Sequence, residues 1–388
     1  MPSTPLFEKP RLPSHYLVRF EPPDSSGDEV LVFRSQRRTL KLKGHSFREF
    51  HQRVVPLLDG RRTLDEIERE VADVFAPEDL RAGLELLREQ GLLAEGDGDA
   101  PPGAGSGRAP QANYFHELGL DSAQAQARLG AATVAVFGAG ALGAAAARPL
   151  AAAGVGTLRL VDDQPVGPAD PYLTAGLLAP DRVGSPRAEA VAAALGGLDR
   201  DTRFEPAGDP LASDEEVVEA IAGADFVVAA IDPGLSSLTY KLNRACLATG
   251  TPWISGAVDG FEGVVGPKVR PGETPCYLCY QMRSVACSDH PETEFAHLKH
   301  LDRRRRDDSG EREALVFGFG VVGNLLGLET CKALLSLPSS LAGSIVVVDF
   351  HALTSTRHKV LRKPWCPACY PADAEPRLDR PAGGGDPP

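Results

Sequence analysis

Hydrophobic residues recur with two different periods along this chain, and each period predicts its own kind of element. Three short runs rich in β-branched and aromatic residues, His15–Phe20, Val30–Phe33 and Thr39–Lys43, are separated by turn-forming stretches at 22–27 and 35–37. They predict three strands. The period then becomes helical. Phe47–Leu57 carries apolar residues at helical spacing. Thr63–Phe75 opens with a Thr-x-x-Glu capping box, Thr63 to Glu66, and Pro77–Gln90 begins with proline in its first turn and stops at Gly91. Three strands followed by three helices predict a small winged-helix-like α+β domain over residues 1–95.

Residues 96–113 are dominated by Gly, Ala, Pro, Ser and Asp, a composition that predicts a flexible linker. From 114 to 372 the pattern alternates. Continuous apolar runs at Thr133–Phe137, Thr157–Val161, Asp225–Ile231, Pro252–Gly256, Val264–Val269 and Ser344–Asp349 read as buried strands, with a further strand at Thr202–Pro206. Helical patterns lie between them, among them Pro186–Leu195, Leu235–Thr249 and a long one from about Asn324 to Leu337. Such alternation predicts an α/β fold with a mainly parallel sheet covered on both faces. The tail, 373–388, is expected to be disordered.

Composition narrows the function classes. The chain has 388 residues with a formal net charge of −12, which argues against a nucleic-acid binder. No stretch has the pattern of a signal peptide, and the apolar stretch Gly138–Leu160 is broken by Arg148, Pro149 and several glycines, so neither export nor a membrane span is expected. The reading is a cytoplasmic protein.

Two motifs carry chemistry. Gly138-x-Gly140-x-x-Gly143 follows a strand and opens a helix, the setting in which glycines admit a phosphate to backbone N–H groups at a helix N-terminus. Asp162 closes the next strand, where a carboxylate can meet ribose hydroxyls. The same loop would serve a dinucleotide-dependent oxidoreductase, or persist for packing alone. A second Gly318-x-Gly320-x-x-Gly323 lacks the downstream acid and reads as packing. The other motif is Cys276-x-x-Cys279 paired with Cys366-x-x-Cys369. Two such pairs complete a tetrahedral thiolate site with no open position, so a structural Zn²⁺ is expected in preference to redox pairs.

With the glycine loop, Asp162, Asp232, the run Thr251–Val258, Gly260-Phe-Glu-Gly263 and the paired Cys-x-x-Cys, residues 115–372 resemble the ThiF/MoeB adenylating fold of the ubiquitin-activating-enzyme superfamily. The resemblance implies a Rossmann-like domain with zinc knuckles, ATP and Mg²⁺ as ligands, Arg187 in the place of a phosphate-contacting lysine, Asp232 as the magnesium aspartate, and a homodimer. Departures accompany it. Leu173 stands where working members place an arginine, Thr239 replaces another, and Asp232-Pro233 replaces the usual Asp-Asn. Losing two positive groups should raise the barrier to adenylation by several kcal/mol, which favours a scaffold over a working adenylyltransferase.

The front domain resembles the PqqD-type precursor recognition element. Combined with a ThiF-type body, it resembles the leader-binding partners of YcaO cyclodehydratases in thiazole/oxazole-modified peptide pathways. This implies capture of a precursor's leader by strand addition along Thr39, Leu40, Lys41 and Leu42, with apolar leader side chains meeting Leu80, Leu84 and Leu87. Cys287, the run Arg303–Arg306, and His290, His297 and His300 read as loop residues without an assigned role.

Overall fold

A computed structural model describes residues 7–22, 28–96, 107–197, 201–231, 236–294, 296 and 314–370. They form two compact units, with the break between Ala127 and Arg128.

In the front unit, β1 (Pro10–Arg11) pairs with β5 (Ala94–Glu95), and β2 (Leu17–Glu21), β3 (Glu29–Arg34) and β4 (Thr39–Gly44) form an antiparallel meander in that order. Helical turns follow at Phe47–Glu49, Phe50–Val54 and Val55–Leu57, then helices Leu64–Glu70 and Pro77–Glu89. The expected three strands and three helices are all present. Thr63 caps its helix as the sequence indicated, with both halves of the capping box made. β3 is the central strand and buries Leu31 and Phe33 completely, against Phe50, Val54 and Ile67.

The boundary lies further along the chain than composition suggested. The expected linker ends in a helix, Ala109–Glu117, and this helix belongs to the front unit. Glu117 accepts hydrogen bonds from the Ser35 hydroxyl at 2.9 Å and lies 2.9 Å from His15 Nε2. Polar groups on the helix's last turn therefore tie it to the sheet, a tertiary signal that Gly/Pro content does not carry. Within 96–113, residues 97–106 lie outside the described residues, as does the whole predicted tail 373–388.

The main unit is built on one eight-stranded sheet. Strands β6 (Thr133–Phe137), β7 (Thr157–Val161), β8 (Arg203–Ala207), β9 (Phe226–Ala229), β10 (Trp253–Asp259), β11 (Glu262–Val269), β12 (Ser344–Asp349) and β13 (Thr354–Lys359) lie in the order β13-β12-β11-β10-β9-β6-β7-β8. From β8 to β10 all pairings are parallel, and from β10 to β13 all are antiparallel. Helices Ala141–Ala152, Arg187–Gly196 and Val316–Leu334 cover one face around Val134, Val136 and Val228. The other face, around Phe137, Val227 and Trp253, is covered by helices Asp214–Ile221, Ser236–Thr249 and Tyr277–Ala286. The mainly parallel core was expected, whereas β13 was missed, because Thr354–Lys359 has no apolar residue and every position is exposed. No helix among the described residues is long and apolar enough to cross a membrane.

The long helix begins at Val316, well before the expected Asn324. Its glycines are inside it. A Cβ on Gly323 would come within 2.5 Å of Ala145 Cβ, and one on Gly318 within 2.8 Å of the Phe350 ring. Gly323 thus lets this helix approach helix Ala141–Ala152, and Gly318 makes room for Phe350.

Candidate functional site: the glycine loop and the four-cysteine cluster

The chain leaves β6 toward β7 on one side and reaches β9 on the other, so the gap between β6 and β9 is a topological switch point. In open α/β sheets ligands bind beyond the carboxyl ends of strands at such a point. Gly138 sits there with φ +90°, a left-handed conformation that favours glycine, and a Cβ would lie 2.3 Å from the Ala230 carbonyl oxygen. Gly140 is the N-cap of helix Ala141–Ala152. A Cβ at Gly143 would meet the Gly138 carbonyl oxygen at 1.7 Å, so the turn closes only with glycine there. The three glycines form the turn expected of a phosphate loop.

The charged side chains beside it are arranged otherwise than the sequence implied. Asp162 is buried. Its carboxylate accepts hydrogen bonds from the Ala139 N–H at 2.7 Å and the Gln164 N–H at 2.9 Å. Its Oδ2 also accepts from Arg187 Nε at 2.9 Å and lies 2.8 Å from Arg187 Nη2, which donates to Oδ1 at 3.2 Å. Arg187 Nη1 is 3.7 Å from Asp170, whose carboxylate accepts the Gly167 N–H at 2.8 Å. Asp162 thus holds the glycine loop and the incoming helix together, and it does not face outward as a ribose ligand. Arg187 is 8% exposed and lies between two carboxylates. As placed, these two side chains do not fit the ribose and phosphate roles. The backbone turn does fit an anion, and Asp232 lies outside the described residues. Asp170 was missed because nothing in the local pattern sets it apart.

Two positions on the helix Ser236–Thr249 are buried as well. Asn243, 1% exposed, accepts the Tyr277 N–H at 3.0 Å and so caps the helix that follows Cys276. Thr239 is buried.

That helix carries the second site. Cys276 is its N-cap, Cys279 lies in its first turn, and Cys366 and Cys369 come from the turn after β13. One sulfur from each cysteine lies within 4.8 Å of the other three. The pairs Cys276–Cys279, Cys276–Cys366 and Cys279–Cys369 are 3.9, 3.7 and 3.5 Å apart. A tetrahedron with Zn–S bonds of ~2.3 Å has sulfurs about 3.8 Å apart, whereas a disulfide needs about 2 Å. The donors therefore fit zinc. The Lys363 N–H points to Cys279 Sγ at 3.3 Å, a donor to a thiolate as metal sites favour. Burial raises the Cys276 thiol and pushes Cys369 up to about 11. Both are thus protonated at neutral pH without a metal, and zinc uptake must release protons.

In the front unit, β4 pairs only with β3 among the described residues, and is an edge strand. Thr39, Lys41 and Lys43 are exposed, while Leu40 and Leu42 are half-buried on the other face. Leu80, Leu84 and Leu87 do not line a groove: they are 0–2% exposed and belong to the domain core. The sequence identified the apolar face of their helix, but that face is consumed by β3. Leu86, 39% exposed, is the large apolar residue this helix leaves at the surface.

Of the remaining sequence candidates, Cys287 and His290 are exposed, and Arg303–Arg306, His297 and His300 lie outside the described residues.

Comparison with known proteins agrees with this architecture. Residues 109–368 match the model of the ThiF family. The chain belongs to the ThiF family. The SAMP-activating enzyme E1 of Haloferax volcanii is 32% identical over 246 residues, covering 63% of this chain and 83% of the relative. The molybdopterin-synthase adenylyltransferase of Escherichia coli is 28% identical over 241 residues, covering 61% and 86%. Among solved structures, the microcin C7 biosynthetic enzyme MccB in complex with N-formylated MccA superposes with a TM-score of 0.65 at 16% identity, over 93% of this chain and 99% of that one. At that identity the match establishes a shared fold. It covers 93% of the chain, where the two relatives above cover 63% and 61%.

Proposed function

We propose that this ThiF-family protein binds the leader of a ribosomally made precursor peptide and presents it to a separate YcaO-type cyclodehydratase in the cytoplasm, without adenylating the peptide itself. The observation that carries the first half is β4: an open strand edge, with Leu40 and Leu42 on one face and Lys41 and Lys43 on the other, to which an extended peptide can add. A precursor-type partner is also in keeping with the fold shared with MccB, which has been solved with MccA.

The second half rests on Arg187. Adenylation needs cations where charge develops on the α-phosphate and pyrophosphate. The guanidinium expected there lies in a buried pair with Asp162 and Asp170, and Leu173 and Thr239 supply no charge in the two arginine positions. The competing reading, an ATP- and Mg²⁺-dependent adenylyltransferase acting on a peptide carboxylate, is favoured by the intact glycine turn and by relatives that are adenylyltransferases. ATP–pyrophosphate exchange separates the two. The scaffold reading expects exchange at background with any candidate peptide, and robust exchange that vanishes in Asp232→Ala would establish the enzyme instead.

Zn²⁺ on Cys276, Cys279, Cys366 and Cys369 would be structural, since four thiolates leave no open position. A homodimer is part of the proposal. The long helix exposes Phe317, Val321 and Leu328 along one face, with Phe317 76% exposed, and a second copy would cover them.

A further inference from the structure

β13 is the terminal strand of the eight-stranded sheet and pairs only with β12 among the described residues. All six of its residues are exposed, so its outer row of N–H and C=O groups lies open to solvent. The chain around it is basic in a protein of net charge −12. From 350 to 370 there is no Asp or Glu, while Arg357, Lys359, Arg362 and Lys363 are present together with His358. Arg357, Lys359 and Lys363 form no ion pair among the described residues, and Arg362 donates only to the backbone carbonyls of Gly272 and Thr274. Register places Arg357 opposite Val346 and Lys359 opposite Ser344, so the two cations share one face of the strand. Leu361 and Trp365, 52% and 59% exposed, follow at the end of the strand.

We infer that β13 is a second docking edge, which receives an extended acidic segment of a partner protein as a ninth strand. Backbone pairing supplies the alignment, and carboxylates at alternate positions of the added strand meet Arg357 and Lys359. Charge decides the occupant. A second copy of this chain pairing edge to edge would bring two sets of Arg357, His358 and Lys359 onto one small surface, where like charges destabilise cross-strand contact. Nucleic acid would gain from the cations but leave the open edge unpaired. An acidic strand satisfies both, and steering by opposite charge would speed its arrival. The inference concerns the main unit and does not depend on leader binding at β4.

The test uses the full chain, a fluorescent eight-residue peptide of alternating glutamate and threonine, and the same peptide with lysine for glutamate. Anisotropy should report saturable binding of the acidic peptide that weakens with salt, and none of the basic one. Hydrogen exchange should slow at 354–359 when the acidic peptide is added. The double variant Arg357→Glu/Lys359→Glu, checked for unchanged zinc content, should bind at least tenfold more weakly. Unchanged affinity in that variant, equal binding of the two peptides, or binding without protection of 354–359 would each overturn the proposal. So would a dimer of the wild type that the double variant dissociates, since β13 would then be covered by a second copy.

Discussion

Asp162 and Arg187 show how far a single residue can be read from sequence. Their types and positions were legible, and both lie beside the glycine loop as the pattern required. Their orientation was not legible, because it depends on Asp170, which joins them only once helix Arg187–Gly196 has folded back. In the folded protein Arg187 is one partner of a buried ion pair, and removing one partner strands the other. Arg187→Ala should therefore destabilise the main unit by about 3–5 kcal/mol, read by urea denaturation. A change under about 1 kcal/mol would mean that the pair is solvated and Arg187 free to leave it. The two glycine motifs make a sharper contrast. Gly143→Ala has no room and should be strongly destabilising, whereas a Cβ at Gly320 meets nothing within 4 Å. Gly320→Ala should stabilise the long helix by up to about 1 kcal/mol, because alanine loses less backbone entropy there. Thermal melts of the two variants moving in the same direction would contradict this account of the motifs.

Among the elements, periodicity located every buried strand of the main sheet, since a strand covered on both faces must be continuously apolar. It failed at the edges. β13 is polar at all six positions, and helix Ala109–Glu117 begins inside the stretch whose composition reads as linker. The four-cysteine cluster was legible because chelation by a pair needs a fixed spacing, and the folded chain brings two pairs 90 positions apart together. The protein should hold about one Zn²⁺ per chain. Cys366→Ser should release the metal and loosen helix Tyr277–Ala286, whose N-cap is itself Cys276, while leaving residues 15–95 folded. Metal analysis showing no zinc in the wild type, or unchanged zinc in the variant, would remove the site. Because metal uptake displaces thiol protons, zinc affinity should fall as pH is lowered.

For the whole molecule, the ThiF body and the small front unit have separate cores, and the division was legible from the Gly- and Pro-rich composition of 96–113. Its position was not, because helix Ala109–Glu117 joins the front unit through Glu117, His15 and Ser35. The exposed face of the long helix argues for a dimer: light scattering should give twice the chain mass, and Phe317→Glu should shift it toward monomer. The central claim is leader capture on β4, and fluorescence polarisation with a labelled cognate leader tests it most directly. The full chain should bind the leader saturably. The Ser35 N–H donates to the Arg38 carbonyl and Leu40 pairs with Phe33, so alternation turns the Leu40 N–H toward β3 and the Lys41 N–H to the open edge. Lys41→Pro, which restricts φ and removes that outward N–H, should weaken binding strongly without loss of zinc. Arg304→Ala should leave affinity unchanged. Full-strength binding by the main unit alone, with none by the front unit, would contradict the account.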